Sequence, residues 1–574
     1  MKNTRSSLYV YPFLFLLSFA LTALSGCGGG SASNDKPVEK TGVEAPVLIG
    51  PQVAGIAAKV TELAAIGSAS HQCHGVENSA QSLQFSEISQ QAGITFSHSM
   101  PDGDGVLGMS GGVAAGDFDN DGWVDLYAIG GEGQANVLLK NQGDGTFTDR
   151  ASFSGVAQKN KGSGPAFGDF NGDGLLDLFV GGVGGDAAKL YVNQGNEQYL
   201  DITESSGLVL PGNNFSGTWA DYDKDGDLDL FVTHWTEERS GYFAYFWRNN
   251  GDSTFSDVTF EAGIKNTSNA DKTLTATFSD INNDGWVDLL LVTDYAQTRL
   301  YKNNKDGTFT DITDHEVITD NTGMGSAVAD YDNDGDLDWF VSAISYRDEP
   351  AKLGWLSPGN RFYQNQGDGT FLDKTDELGV RHSSWAWATC FSDFNNDGLQ
   401  DLFVVNGMYG ENIEKMFLDD PSRLFLANGD GTFKESSIDV GIDDKSMGRG
   451  LVCFDYDKDG DQDIYIANHD EPPKLFCNNG GSKTGQNNFI NIKLIDATSN
   501  SQALGARIYV SSGDIRQMRE LKSGTNYVSQ NPVEAHFGLG KSSIITRIRV
   551  VWPDGEESVI TQVAVNKFVT IERI

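Results

Sequence analysis

Asp330-Tyr331-Asp332-Asn333-Asp334-Gly335-Asp336-Leu337-Asp338 places carboxylates at positions 1, 3, 5 and 9 of a nine-residue stretch, with glycine at 6. The pattern D-x-[DN]-x-D-G-x-x-D occurs seven times, starting at Asp117, Asp169, Asp221, Asp280, Asp330, Asp393 and Asp455. Each copy has the same surroundings. A run of small and apolar residues precedes it, as in Gly325-Ser326-Ala327-Val328-Ala329, and a hydrophobic run follows, as in Leu402-Phe403-Val404-Val405. A turn signal comes next, Asn141-Gln142-Gly143-Asp144-Gly145-Thr146-Phe147 in the first unit, echoed at 303–309, 365–371 and 428–433. Asp-Gly between apolar strands predicts a type I′ hairpin, in which both central residues take positive φ.

Each unit therefore holds about four short strands, and four-stranded units of this length are propeller blades. The expected fold is all-β: a seven-bladed β-propeller with calcium loops over residues 83–484, then a small β-rich domain over 485–574. Phe85-Ser86-Glu87-Ile88 resembles the fourth strand of later units, such as Phe255-Ser256-Asp257-Val258. It precedes the first acidic stretch, so it is expected to complete the last blade and join the chain's two ends. After about residue 485 the acidic pattern stops and alternating runs appear, at 489–494, 544–551 and 568–571.

Upstream, Lys2 and Arg5 precede an apolar run from Leu8 to Leu24, and Leu24-Ser25-Gly26-Cys27 follows. That is the layout of a signal peptide over residues 1–26, and the tetrapeptide resembles the bacterial lipobox, which implies lipidation of Cys27. Residues 27–82 read as a tether. The expected location is outside the cytoplasm, as a bacterial outer-membrane lipoprotein or on the cell surface. Of the other cysteines, Cys390 and Cys453 lie in apolar strands and read as small buried hydrophobes. Cys73 and Cys477 are a candidate bridge.

Eighty Asp and Glu against 41 Lys and Arg leave a net charge of −39. Such a surface repels phosphate backbones, which excludes nucleic acid, and it repels anionic lipid, which leaves the N-terminal lipid as the membrane contact. The 33 Phe, 18 Tyr and 10 Trp argue for a packed core rather than an acidic disordered chain.

Oxygen ligands on a sharply turned loop suit Ca²⁺, which accepts six to eight of them at adaptable angles, better than Mg²⁺. No histidine or cysteine lies in any of the seven loops, which argues against zinc or copper. Up to seven structural Ca²⁺ ions are expected. The candidate ligands are Asp117, Asp119, Asp121 and Asp125; Asp169, Asn171, Asp173 and Asp177; Asp221, Asp223, Asp225 and Asp229; and Asp280, Asn282, Asp284 and Asp288. They continue with Asp330, Asp332, Asp334 and Asp338; Asp393, Asn395, Asp397 and Asp401; and Asp455, Asp457, Asp459 and Asp463. Two carboxylates about 4 Å apart repel by roughly 4 kcal/mol at an effective dielectric of 20, so three converging on one point call for a counter-ion. Asn171, Asn282 and Asn395 replace a carboxylate at position 3, and those three loops are expected to bind more weakly.

These loops resemble the FG-GAP/VCBS repeats of integrin α-subunit propellers and bacterial surface proteins. The C-terminal stretch is similar to the ASPIC/UnbV domain, carried by Leu504-Gly505-Ala506-Arg507, Arg519-Glu520, Tyr527-Val528-Ser529-Gln530, His536-Phe537-Gly538-Leu539-Gly540 and Val551-Trp552-Pro553-Asp554-Gly555. Propeller followed by this domain is the layout of the cartilage acidic protein family. The resemblance implies calcium-binding extracellular proteins with adhesion or matrix roles and no assigned reaction.

A ligand face is expected where the second strand of each blade ends, opposite the acidic loops. Ring-bearing and hydrogen-bonding groups concentrate there in His234, Trp235, Asp294, Tyr295, Asn406 and His469, a mixture suited to a sugar or peptide; the competing and favoured reading of the same residues is ordinary polar turns with a partly buried tryptophan. The inserts 346–360 and 408–423, with Trp355, Tyr409 and Phe417, are placed to roof it. The favoured reading is a non-enzymatic binding or adhesion protein whose partner is a surface glycan or an extracellular or envelope protein. A glycan lyase or hydrolase using His234, Asp294 and His469 as acid–base groups is the enzymatic alternative, and an envelope assembly factor is a third.

Overall fold

The computed structural model describes residues 51–64, 83–100 and 105–574, apart from 211, 237–244, 265–271, 296–297, 346–358, 409–416, 418, 481–486 and 525. Seven antiparallel sheets, each built around four strands, follow one another along the chain. Blade 3 shows the plan: Asn214–Ala220, Asp229–His234, Tyr245–Asn249 and Phe255–Asp257, paired in that order. Blade 7 takes Gly448–Phe454, Asp463–Asn468 and Lys474–Asn478, and its fourth strand is Phe85–Glu87, with Phe85 opposite Asn478. The ring closes with the strand from the N-terminal side, as the sequence predicts. The first strands of successive blades are neighbours all the way round, Gly448–Phe454 lying beside Val113–Gly116 of blade 1.

Those first strands are buried almost throughout, as in Gly162–Gly168, Asn214–Ala220 and Gly323–Ala329. Seven of them converge on one axis, which explains their Gly, Ala, Ser and Thr content: large side chains on both faces would not fit at native packing density.

The hairpin after the third strand differs from expectation. Gly143 and Gly145 have φ of 67° and 85°, whereas Asp144 is not among the positive-φ residues, so this is not the type I′ turn. Gln142 N–H donates to the Thr146 carbonyl across a three-residue loop. The Asp144 carboxylate instead accepts from both the N–H and hydroxyl of Thr146, at 3.1 and 2.6 Å. A short carboxylate bonding two residues on stabilises its own loop without positive φ.

An asparagine ending the third strand stitches the blades together. Its side-chain amide donates to the second residue of the preceding blade's acidic loop: Asn193 to the Phe118 carbonyl, Asn249 to Phe170, Asn303 to Tyr222, Asn365 to Ile281 and Asn478 to Phe394. Asn141 closes the circle, donating to the Tyr456 carbonyl of blade 7 at 2.8 Å. Blade 6 has Ala427 at this place. Cys390 and Cys453 are not free hydrophobes; they form a disulfide between the first strands of blades 6 and 7. The two are buried, as expected, but adjacent inner strands bring them face to face, a proximity that strand pattern alone does not reveal. Closing a loop of 63 residues stabilises by about 4 kcal/mol in the chain-entropy model.

The C-terminal domain is a sandwich of two sheets. One runs Gln52–Gly55, Glu557–Thr561, Arg547–Val551, Arg507–Ser512, Ile515–Glu520; the other runs Ala58–Ala64, Lys567–Arg573, Asn488–Ile495, Ala535–Gly540. Ile490, Ile508, Phe537, Val550 and Trp552 fill the space between them. Reading 27–82 wholly as a tether is therefore corrected. Residues 52–55 and 58–64 each add a strand to this domain, the second in unbroken register from Ala58 opposite Arg573 to Ala64 opposite Lys567. Their alanines and valines give a shallow alternation, and the residues they pair with lie some 500 positions later. The signal peptide, Cys27, Cys73, Trp355 and Tyr409 lie outside the described residues.

Candidate metal loops and the domain that covers them

All seven acidic loops fold alike. Position 6 is a glycine with φ between 83° and 98°, from Gly285 to Gly335. Position 4 is also left-handed, and is Asn, Gly or Lys: Asn120, Gly172, Lys224, Asn283, Asn333, Asn396 and Lys458. Asparagine and glycine adopt this conformation at least cost. The Asn enrichment at position 4 is the signal of this conformation in the sequence. Its side chain reaches the next loop round the ring: Asn120 donates to the Gly174 carbonyl, Asn333 to Gly398 and Asn396 to Gly460.

The carboxylates divide their work. In loop 2 the position-1 Asp169 accepts from Asp173 and Gly174 N–H, at 3.0 and 2.8 Å, and loops 4 and 6 repeat this with Asp280 and Asp393. At position 9 one oxygen accepts the N–H of the third strand's last residue, as Asp125 does from Asn141 at 2.7 Å and Asp401 from Ala427 at 2.8 Å. Position 9 is therefore a clamp between loop and blade as well as a candidate ligand.

Carboxylate oxygens converge within 4.8 Å in Asp117/Asp119/Asp125, Asp221/Asp223/Asp225, Asp330/Asp332/Asp338 and Asp455/Asp457/Asp463. These four loops are the ones with Asp at position 3. Asp117 and Asp119 each hold a buried oxygen without a hydrogen-bond partner, as does Asp221; both oxygens of Asp330 are in that state. Burial, reinforced by neighbouring carboxylates, pushes Asp221 up to about 7 and Asp338 to about 9. Bare, buried, mutually repelling oxygens on a turned loop fit a hard divalent cation that takes oxygen ligands. In loop 1 the Lys140 ammonium pairs with Asp119, and with Asp121 at 3.3 Å, and so competes for that place.

The C-terminal domain sits on this loop face. Ser501 donates to Asp169; Lys493 pairs with Asp117 at 3.4 Å, and Arg507 with Asp280 at 3.5 Å and Glu520 at 3.0 Å. His536 Nε2 is 2.6 Å from Asn396 Oδ1. The approach at Gly538 admits no side chain, since a Cβ there would lie 1.9 Å from Asp393 Oδ2. Charge explains the seating: residues 485–574 carry ten Lys and Arg against eight Asp and Glu, whereas 83–484 carry 26 against 67.

A loop of this domain continues into the propeller axis. Asn526 donates to the Leu451 carbonyl, the Tyr527 hydroxyl to Met109, and Val528 N–H to Ser216 Oγ. Ser529 and Gln530 pair in parallel with Val113 and Ala114, adding a fifth strand to blade 1. Gln530 brackets Phe167 of blade 2, and Asn531 accepts from Cys453 N–H of blade 7. Tyr527 and Val528 are wholly buried, and the Tyr527 ring lies 5.1 Å from Trp387. Gly112 makes room for it; a Cβ there would be 2.0 Å from the Val528 carbonyl. This axial plug was not legible in the sequence, because its polar Ser, Asn and Gln content reads as a surface loop.

The proposed ligand face does not form as expected. Trp235 is 5 % exposed and belongs to the central core, its ring covered by the Lys272 ammonium at 3.6 Å. His234 is buried with Nε2 against the Gly212 carbonyl at 2.8 Å. Asn406 is fully buried and donates to Pro421; Asp294 and His469 are buried, and the His469 ring lies 5.2 Å from that of His98, tilted by 48°. Tyr295 alone is exposed. Phe417 is buried edge-on against Trp385. Strand ends meeting a closed axis bury these groups as core and cap, so an open sugar site made of the six is corrected.

Comparison with known proteins accords with this architecture. The model for FG-GAP-like repeats matches residues 117–180, 169–232, 280–341 and 353–404, and that for ASPIC and UnbV matches 496–574. Cartilage acidic protein 1 of Xenopus tropicalis is 25% identical over 491 residues, covering 78% of this chain and 70% of that protein. The Homo sapiens protein is 25% identical over 488 residues, covering 78% and 69%. The solved structure of YCF48 from Cyanidioschyzon merolae is similar at 10% identity over 68% of this chain and 98% of that one, with a TM-score of 0.38. The chain is a protein of FG-GAP-like repeats followed by an ASPIC and UnbV domain, homologous to cartilage acidic protein 1.

Proposed function

We propose that this protein is exported, held at the cell surface by lipid on Cys27, and acts as a calcium-binding propeller that binds a glycan or an envelope or extracellular protein without catalysing a reaction. FG-GAP-like repeats with an ASPIC and UnbV domain are those of a surface or adhesion-type protein. The observation that carries the calcium reading is the set of bare buried oxygens on Asp117, Asp119, Asp221 and Asp330, both of them on Asp330, where three carboxylates converge. The groups a hydrolase or lyase would need, His234, Asp294 and His469, are buried in separate blades and engaged by their own surroundings. Among the described residues no helix is long and apolar enough to cross a membrane; the lipid reading rests on Leu24-Ser25-Gly26-Cys27.

Two measurements test this reading. Cells fed a clickable fatty acid should label the wild type and not Cys27→Ser. The purified protein, screened against glycans and envelope proteins, should bind in calcium and lose binding in chelator. Turnover of a polysaccharide by the wild type, absent from a His469→Ala variant that still folds, would replace the binding reading with an enzymatic one.

A further inference from the structure

The C-terminal sheet that faces blades 4 and 5 carries more positive charge than docking uses. Arg507 is spent on Asp280 and Glu520. Further along the same face Ser511 stands opposite both Arg516 and Arg547, and Tyr509 stands opposite Arg549. Arg549 is held by Glu557 and lies over the Tyr509 ring at 4.7 Å. Arg516 and Arg547 are exposed, and neither has a carboxylate within ion-pair distance among the described residues. Arg516 donates one nitrogen to the Gly513 and Ile515 carbonyls, and two arginines side by side without a carboxylate on either are notable in a chain with twice as many acids as bases. They border a cleft of about 420 Å³ whose other wall is the blade-5 loop, with Asp334 exposed in it.

We propose that this cleft binds an acidic polysaccharide, one bearing sulfate or carboxylate groups. The assignment rests on the binding reading above and names its ligand class and place. Guanidinium groups recognise both anions through paired, charge-assisted N–H donors. Arg516 and Arg547 flank a shared neighbour, so their backbones are two strand spacings, about 10 Å, apart. An acidic polysaccharide lying along the cleft presents acid groups at intervals that both side chains can reach together. The half-buried Tyr509 beside them carries the Arg549 guanidinium over its ring, so the cleft's recognition rests on its cations. The acidic loop opposite would repel such a chain unless its carboxylates are neutralised, so binding should require a divalent cation.

The test uses the purified full-length protein in excess calcium, with short dextran sulfate and oligogalacturonate as probes and neutral dextran and polyglutamate as controls. Either acidic glycan should bind, with the difference between them telling sulfate from carboxylate preference. Arg516→Gln/Arg547→Gln should weaken it at least tenfold with an unchanged melting temperature, and chelator should abolish it. A net charge of −39 repels polyanions everywhere else, so binding must be local. No binding of either acidic glycan, an unaffected double variant, or equal binding of polyglutamate would overturn the assignment. If the acidic glycans fail while another glycan or an envelope protein still binds, the cleft falls and the broader reading stands.

Discussion

Tyr527→Ala should destabilise propeller and C-terminal domain together. The ring is wholly buried in the axis, 5.1 Å from Trp387, and its hydroxyl donates to the Met109 carbonyl at 2.6 Å. Emptying a site of that size costs about 3–5 kcal/mol for an aromatic-to-alanine change. The abandoned Met109 carbonyl adds about 1 kcal/mol or more. Tyr527→Phe keeps the ring and should cost only that second part. Urea unfolding followed by tryptophan fluorescence reads both, since Trp387 is adjacent. A single transition shifted to lower urea, more for Ala than for Phe, is the expected result. If Tyr527→Ala unfolds at the wild-type midpoint, or the C-terminal domain melts separately with the propeller unmoved, the plug does not couple the two domains.

Two further outcomes follow from particular residues. Cys390→Ser/Cys453→Ser should lower oxidised stability by about 4 kcal/mol in the chain-entropy model, and added reductant should then leave that difference small; a variant as stable as the oxidised wild type would show that the bridge adds nothing to the ring. His98 is held neutral by burial, with Arg449 nearby, its pKa lowered from 6.5 to about 4. The unfolded chain therefore takes up this proton first as pH falls, so His98 contributes fully above 6.5 and its contribution, on the order of 3 kcal/mol, is lost toward pH 4. His98→Asn, which can still accept from Asp470 N–H, should flatten unfolding free energy against pH across that window, and an unchanged slope would contradict the assignment.

The repeat made the architecture legible. A nine-residue pattern recurring in one strand context predicts the blades, and the strand Phe85–Glu87 could be matched to the fourth strand of other blades by its Phe-Ser-Asp/Glu signature. The left-handed glycine at position 6 followed from the need for a sharp turn. What local pattern does not carry is the long-range geometry. Strand 58–64 could not be assigned without its partner at 567–573. Cys390 and Cys453 meet because inner strands of adjacent blades do. The polar plug 526–530 is buried since blades 1, 2 and 7 offer it backbone partners and blade 3 the Ser216 hydroxyl, which a reading of hydrophobicity misses. Trp235 shows the opposite case: a strand-end ring reads from sequence as either an exposed anchor or a partly buried turn residue, and its burial beneath Lys272 decides for the second.

The central claim is that the acidic loops hold calcium, and the direct test is a calcium titration of chelator-stripped protein by calorimetry, alongside its melting temperature. Saturable binding of several ions, up to one per loop, with a large thermal stabilisation is the expected result. Asp221→Asn/Asp223→Asn should remove one tight site, and Asn171→Asp should tighten a weak one. No heat, no bound ion by native mass spectrometry and an unchanged melting temperature would mean that the loops are clamps alone.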